Sequence, residues 1–197
     1  YNNVPLRLRV NVEKVIKNIL NKYGCIEILL PTLQPTKLWE ESGRLSKYVE
    51  DGVILSVKTD KGDFVLAPTA EEAVTDFVRG RVSSYKNLPV TFYQIGEKYR
   101  NEIRTRGYLL RGKTFPMMDA YSFDTDEHTS AQTYQNIRKA YLEIFKILEL
   151  NVKPVAADSG AMGGNLSEEF MLESPIGEDT ILVDKASGVA FNTEILE

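Results

Sequence analysis

Between Tyr99 and Asp124 the chain reads YRNEIRTRGYLLRGKTFPMMDAYSFD. Four arginines (Arg100, Arg104, Arg106, Arg111) and Lys113 precede a run of large apolar residues, Phe115, Met117, Met118, Tyr121 and Phe123. Fixed guanidinium groups grip several phosphate oxygens with defined geometry, often two at a time. On an extended strand residues i and i+2 project from one face, so Arg100 and Glu102 are expected to point together into one site. A glycine-bearing loop from Arg104 to Lys113 would swing further cations over it, with almost no acid to balance them. The chemistry that fits is the holding of a polyphosphate, most simply a nucleotide. The plain alternative is a hairpin whose charged tip is merely solvated, and spacing alone leaves both readings open.

Other phosphate solutions are missing from the sequence. There is no G-x-x-x-x-G-K-[ST] loop and no G-x-G-x-x-G after a strand. The glycine-rich stretch Ser159-Gly160-Ala161-Met162-Gly163-Gly164 lacks the dinucleotide spacing and reads as a flexible connection. A nucleotide would therefore be held by arginine side chains.

The bulk numbers narrow the chemistry further. A chain of 197 residues forms one large domain or a piece of something bigger. It begins at Tyr1 and ends at Glu197 without an evident stop, and is expected to be an excised fragment. Its single Cys25 allows no internal disulfide and suits a reducing cytosol, so a cytoplasmic location is expected. The single His128, in what reads as a helix-entry loop, is expected to be solvated, which removes most support for histidine triads and multi-histidine metal sites. No metal-ligand residues are expected. A net charge of −4 argues against a broadly basic nucleic-acid surface but permits a basic cleft. No apolar run approaches the ~20 residues of a membrane span, and no secretory signal is recognised.

The elements that must position the cations follow from periodicity. An amphipathic helix is expected from Val12, ended by Gly24, then a short buried strand over CIEILL (25–30) stopped by Pro31. VILSVKT, a TDKGD turn and FVLAPT predict a hairpin across 51–69. Thr69 followed by Glu72 predicts an N-cap and capping box for a helix running toward Val82. VTFYQIGEKY (90–99) is a predicted strand continued by the arginine hairpin. Tyr134, Ile137, Tyr141, Ile144, Phe145 and Leu148 predict a helix over 130–150. Strands are expected at 152–157 and near Phe170 and Ile181. Hairpins interleaved with helices predict an α+β fold, an antiparallel sheet flanked by helices.

Five segments in order resemble those of the bacterial-type prolyl-tRNA synthetases, which are class II aminoacyl-tRNA synthetases. Tyr99-Arg100-Asn101-Glu102 is similar to the motif 2 signature, and MMDAYSFD (117–124) to a stretch typical of prolyl enzymes. Ala67-Pro68-Thr69-Ala70-Glu71-Glu72 resembles the Thr-x-Glu proline-recognition loop. The segment 24–31 followed by LWEESGR (38–44) resembles motif 1, and ADSGAMGGNLSEEF (157–170) the loop said to close over proline. The resemblance departs at Lys113-Thr114, where an arginine-glutamate pair is usual, at Met118 in place of lysine, at Arg7 in place of glycine, and at Glu168, where histidine is frequent.

The resemblance implies proline–tRNA ligase activity within a class II synthetase-like fold. Proline is activated with ATP and Mg²⁺ to prolyl-adenylate and transferred to tRNA(Pro) by the full-length protein. Arg100 would hold the ATP α-phosphate and the substrate carboxylate, Glu102 the adenine edge, Arg111 the γ-phosphate, and Phe115 would stack on adenine. Thr69 and Glu71 would receive the prolyl amine. The Pro31 segment implies a homodimer. Residues 1–197 would be a partial catalytic domain, without motif 3, any editing insertion or the anticodon-binding domain, and weakly active or inactive alone. Two other readings stand beside it: a non-catalytic paralogue serving as a regulatory or binding subunit, and a relative for another amino acid such as threonine.

Overall fold

In chain order the helices are α1 (Asn3–Lys22), α2 (Thr36–Glu41), α3 (Leu45–Glu50), α4 (Glu71–Arg79) and α5 (Glu127–Ile147). The strands are β1 (Ile26–Glu27), β2 (Leu33–Pro35), β3 (Leu55–Thr59), β4 (Gly62–Leu66), β5 (Val90–Tyr99), β6 (Thr114–Phe123), β7 (Val152–Ala156), β8 (Glu168–Leu172), β9 (Ile181–Val183) and β10 (Ala190–Asn192). The computed structural model describes residues 3–107, 109–157, 167–186 and 188–193. It divides into two units, residues 1–138 and 139–197.

The antiparallel hairpin β5–β6 dominates the first unit, with ten residues paired from Val90↔Phe123 to Tyr99↔Thr114. Alternation along both strands puts Phe92, Gln94 and Lys98 on one face with Tyr121, Asp119 and Phe115. Helix α4 covers the apolar end of that face: Val74, Val78 and Phe92 form a buried cluster joined by Phe77, Tyr121 and Phe123. Each such side chain taken from water contributes about 1.5–3 kcal/mol. On the opposite face α1 is held by Tyr93, whose hydroxyl donates to Asn21 Oδ1 at 2.9 Å, and by Glu97, paired with Arg9 at 3.0 Å. A second, antiparallel sheet, β2-β4-β3, packs with α2 and α3 around Trp39, Tyr48, Ile54 and Val65.

In the second unit the sheet order is β8-β7-β10-β9. Phe170 of β8 lies 5.7 Å from Tyr141 and 5.6 Å from Phe145, a stagger of four that places both rings on one face of α5. The fold is α+β. Its hairpins are antiparallel as expected, while β1 joins β5, and β10 joins β7, in parallel.

Several expectations need correction. Helix α1 starts at Asn3 and not near Val12; Val4, Leu6, Leu8 and Val10, whose alternation obscured the helical period, are exposed on it. The strand expected over 25–30 shrinks to Ile26–Glu27, which is exposed rather than buried. Its continuation is taken over by a side chain: Leu30 N–H donates to Gln94 Oε1 at 3.1 Å. The capping box does not form. Helix α4 has Ala70 at its N-cap with no side-chain bond there, because Glu72 turns inward and Thr69 is engaged elsewhere. Helices α2 and α3 and strands β2 and β10 have no counterpart among the elements expected from periodicity. Residues 158–166 of the expected proline-closing loop lie outside the described residues, as does Tyr108 in the arginine loop.

Candidate active site

The end of β4 and the end of β5 meet where Tyr99 N–H donates to Ala67 O at 2.9 Å. Just beyond, Arg100 Nε donates to Pro68 O at 3.3 Å, and its guanidinium carbon lies 5.4 Å from the centre of the Phe115 ring. Arg100 is thus held between the Pro68 carbonyl and an aromatic face, a favourable place for a cation.

Arg100 and Glu102 do not share a strand. β5 stops at Tyr99, and Glu102 N–H donates back to Arg100 O at 2.7 Å across a tight turn, while Asn101 N–H is drawn to Val53 O at 2.8 Å. The i, i+2 argument for a common face therefore does not apply. Glu102 is tied instead to its own loop: Oε1 accepts from Arg104 N–H at 3.0 Å, and Oε2 lies 4.0 Å from Arg111 Nε. The loop folds as a small hairpin in which Arg106 and Arg111 exchange backbone bonds of 2.9 and 3.0 Å. Gly107 makes that turn with φ +57°, where an added Cβ would meet Leu110 at 2.8 Å. Arg104, Arg106 and Arg111 are exposed.

Thr69 is only 2% exposed, and its hydroxyl donates to Glu71 Oε2 and lies 3.4 Å from the Tyr121 hydroxyl. Tyr121 accepts from Ala70 N–H at 3.0 Å, serving an orphan donor at the start of α4, and donates to Asp119 Oδ2 at 2.7 Å. Burial pushes the Tyr121 phenol well above its ordinary pKa, reinforced by the Glu71 and Asp119 carboxylates, so it is a fixed neutral hydroxyl. Asp119 also receives Gln94 Nε2 at 2.9 Å and the buried Lys98 Nζ at 2.7 Å. A polar floor thus runs from the sheet to the Thr69–Glu71 segment.

On the other side of Glu71 stands Arg44, from the turn between α2 and α3. Its NH1 lies 3.0 Å from Glu72 Oε1 and 3.5 Å from Glu71 Oε2. Burial acts to lower its pKa, but Glu72, Tyr48 and Glu71 outweigh that and raise it. Glu71, with its side chain 34% exposed, opens on a recess of about 320 Å³ that Leu38, Ser42, Arg44, Glu72 and Thr75 also line. Neither Thr69 nor Arg100 lines that recess. His128, the expected solvated histidine, is exposed on α5. Among the described residues no group of three or more His, Cys, Asp or Glu side chains comes together to hold a metal.

Residues 55–189 match the tRNA synthetase class II core domain (G, H, P, S and T). The chain belongs to that family. It is 48% identical over 200 residues to a proline–tRNA ligase of Staphylococcus epidermidis, covering 100% of this chain and 35% of the relative. It thus spans about a third of the length of the curated relatives it matches. Among solved structures, prolyl-tRNA synthetase of Giardia lamblia in complex with prolyl-adenylate matches with TM-score 0.72 at 19% identity, over 79% of this chain and 32% of that one. The Cryptosporidium parvum enzyme complexed with halofuginone and AMPPNP matches with TM-score 0.68 at 16% identity, over 81% and 33%. At such identities the likeness is one of fold, the class II synthetase core.

Arg44, Glu72, Gln94, Lys98, Asp119 and Tyr121 support the site without standing among the residues expected to form it. A signal existed for some of them. Gln94 and Lys98 fall four apart on a predicted strand, and Asp119 and Tyr121 two apart, so each pair had to share a face.

Proposed function

We propose that this chain is part of the catalytic domain of a proline–tRNA ligase, which activates proline with ATP and transfers it to tRNA(Pro). The observation that carries this reading is the placement of Arg100 between the Phe115 ring and Pro68 O, whose next residue, Thr69, is bonded to Glu71. One cation is thereby held at the chain segment that carries the Glu71 carboxylate. A zwitterionic amino acid needs that pairing at its two ends, and the relatedness to proline–tRNA ligases supports proline as the one taken.

In the proposed reaction the proline carboxylate attacks the α-phosphorus of ATP and pyrophosphate leaves. A carboxylate is already ionised at neutral pH, so no general base is needed. Catalysis reduces to alignment and to stabilisation of charge in the transition state. Arg100 takes the α-phosphate and the substrate carboxylate, Arg111 the γ-phosphate, Glu102 the adenine edge, and Phe115 the adenine ring. Mg²⁺ bound with the nucleotide would supply part of the neutralisation of its phosphate charge. Glu71 receives the secondary ammonium, and Thr69 fixes the Glu71 carboxylate by the hydrogen bond it donates.

The same reading assigns residues 1–197 to a partial catalytic domain, with motif 3, any editing insertion and the anticodon-binding domain supplied elsewhere in a complete protein that is a cytoplasmic homodimer. The chain alone is expected to be weakly active or inactive.

ATP–pyrophosphate exchange by the complete polypeptide tests this. Exchange should depend on proline and not on threonine or glycine. Glu71→Gln should mainly raise the KM for proline. Absence of exchange with every amino acid would point to a regulatory paralogue instead.

A further inference from the structure

Arg44 is the one cation among the described residues that the structure brings against both carboxylates of the Glu71–Glu72 pair. Gly43, at φ +73°, turns the chain so that Arg44 enters α3 with its guanidinium over Trp39 and Tyr48, 5.6 and 4.9 Å from the ring centres. Arg44 NH2 bonds the Tyr48 hydroxyl, and NH1 bonds Glu72 Oε1 at 3.0 Å. Ser42 Oγ donates to that same oxygen at 3.0 Å. The Glu72 side chain is 2% exposed, and its Oε2, like Arg44 Nε, has no partner among the described residues. Enclosing a carboxylate so fully is costly unless a cation stands beside it.

Arg44, Glu71 and Glu72 together set one guanidinium against two carboxylates, while Glu41 and Asp76, which also line the recess, are both paired with Arg79. Glu72 is enclosed, whereas Glu71 opens on the recess. We propose that Glu72 engages the charge of Arg44, so that Arg44 orients Glu71 at 3.5 Å without neutralising it, and one full negative charge remains for the substrate's secondary ammonium. Arg44 and Glu72 are positioning residues, acting through Glu71. The inference rests on Glu71 being the group that receives the amine.

Removal of the Glu72 charge alone leaves Arg44 to pair with Glu71, cancelling the site's charge and competing with the incoming ammonium. In the complete polypeptide, Glu72→Gln should raise the proline KM about tenfold or more, with kcat and the KM for ATP within about twofold of the parent. The inhibition constant of tetrahydrofuran-2-carboxylate, a proline isostere with a ring ether in place of the ammonium, should not rise. The charge-balanced double variant Arg44→Met/Glu72→Gln restores the net −1 and should return the proline KM to within about threefold of the parent.

A purely structural role predicts the opposite pattern. Isostere binding would then weaken along with proline binding, and the double variant, lacking both partners, would be the worse of the two. Either result overturns the inference, as does a proline KM unchanged in Glu72→Gln. If Glu72→Gln does not melt cooperatively, Glu72→Asp replaces it. That variant keeps the charge but draws it back from Arg44, and about a threefold rise in proline KM is expected; no rise counts against the proposal. Should Glu71→Gln itself leave the proline dependence unchanged, the reading of Glu71 fails. Should Glu71→Gln matter and Glu72→Gln not, only this inference fails.

Discussion

Lys98 Nζ and Asp119 Oδ1 lie 2.7 Å apart beneath the candidate site, with the two side chains 2% and 8% exposed. Their strands are neighbours, and Asp119 pairs in register with Gln94, four residues before Lys98 on the same face of β5. Removing one partner of a buried ion pair leaves the other charge uncompensated. Lys98→Met is therefore expected to destabilise the protein by about 3–5 kcal/mol in urea denaturation. Adding Asp119→Asn to it should recover at least half of the loss. A single-variant cost below about 1 kcal/mol, the range of exposed pairs, would show that water reaches the pair.

Tyr121→Phe removes a hydroxyl that accepts from Ala70 N–H and donates to Asp119. Leaving a buried backbone donor unsatisfied costs about 1–3 kcal/mol, and that loss is expected in equilibrium unfolding. The same change frees Thr69 from one of its neighbours, so the proline KM should rise severalfold while the KM for ATP stays unchanged. An unaltered proline KM would confine Tyr121 to the role of helix support.

Arg100→Ala should lower proline-dependent pyrophosphate exchange about a hundredfold or more, the cost of losing one preorganised donor to a developing charge. Arg100→Lys should remain impaired, because an ammonium cannot both reach the Pro68 carbonyl and present a planar fork to phosphate. Activity within about threefold of the parent in the alanine variant would contradict the role given to Arg100.

Asp126 precedes α5, and its carboxyl is held below the ordinary carboxylate range, first by the Thr129 N–H at 2.8 Å and then by the hydroxyls of Thr125 and Thr129. Thr129 returns a bond to Asp126 N–H at 3.2 Å, a reciprocal cap. A depressed folded pKa means stabilisation that is fully present above the unfolded value of about 3.9 and lost as pH falls through the folded value. Asp126→Asn keeps an acceptor without the titration. Parent and variant should melt at similar temperatures at neutral pH, and the parent should lose more on acidification from about pH 5 to pH 3. Identical acid limbs would show that the cap does not titrate.

Long periodic elements were legible from the chain. β5 begins and ends where the alternation of 90–99 put it, and α5 departs by three residues at each end from the expected 130–150. Short elements were not, because α2 and α3 have six residues each and span under two turns. The site residues were named by resemblance, but their local geometry depended on tertiary bonds that no local pattern encodes. Thr69 and Glu72 carried the spacing of a capping box, yet Arg44, twenty-eight positions away, holds Glu72 inside. Arg100 and Glu102 carried the spacing of a shared strand face, yet Asn101 between them is pulled out of line by Val53 O.

The side-chain amide of Gln94 has a further consequence. Its oxygen accepts from Leu30 N–H and its nitrogen donates to Asp119, so the amide is locked in one of its two orientations. A half-turn would set nitrogen against nitrogen and oxygen against oxygen. Leu29, the residue before Leu30, is 78% exposed. Leu30 is thus tied, through a single side chain, to the carboxylate on which Tyr121 and Lys98 converge.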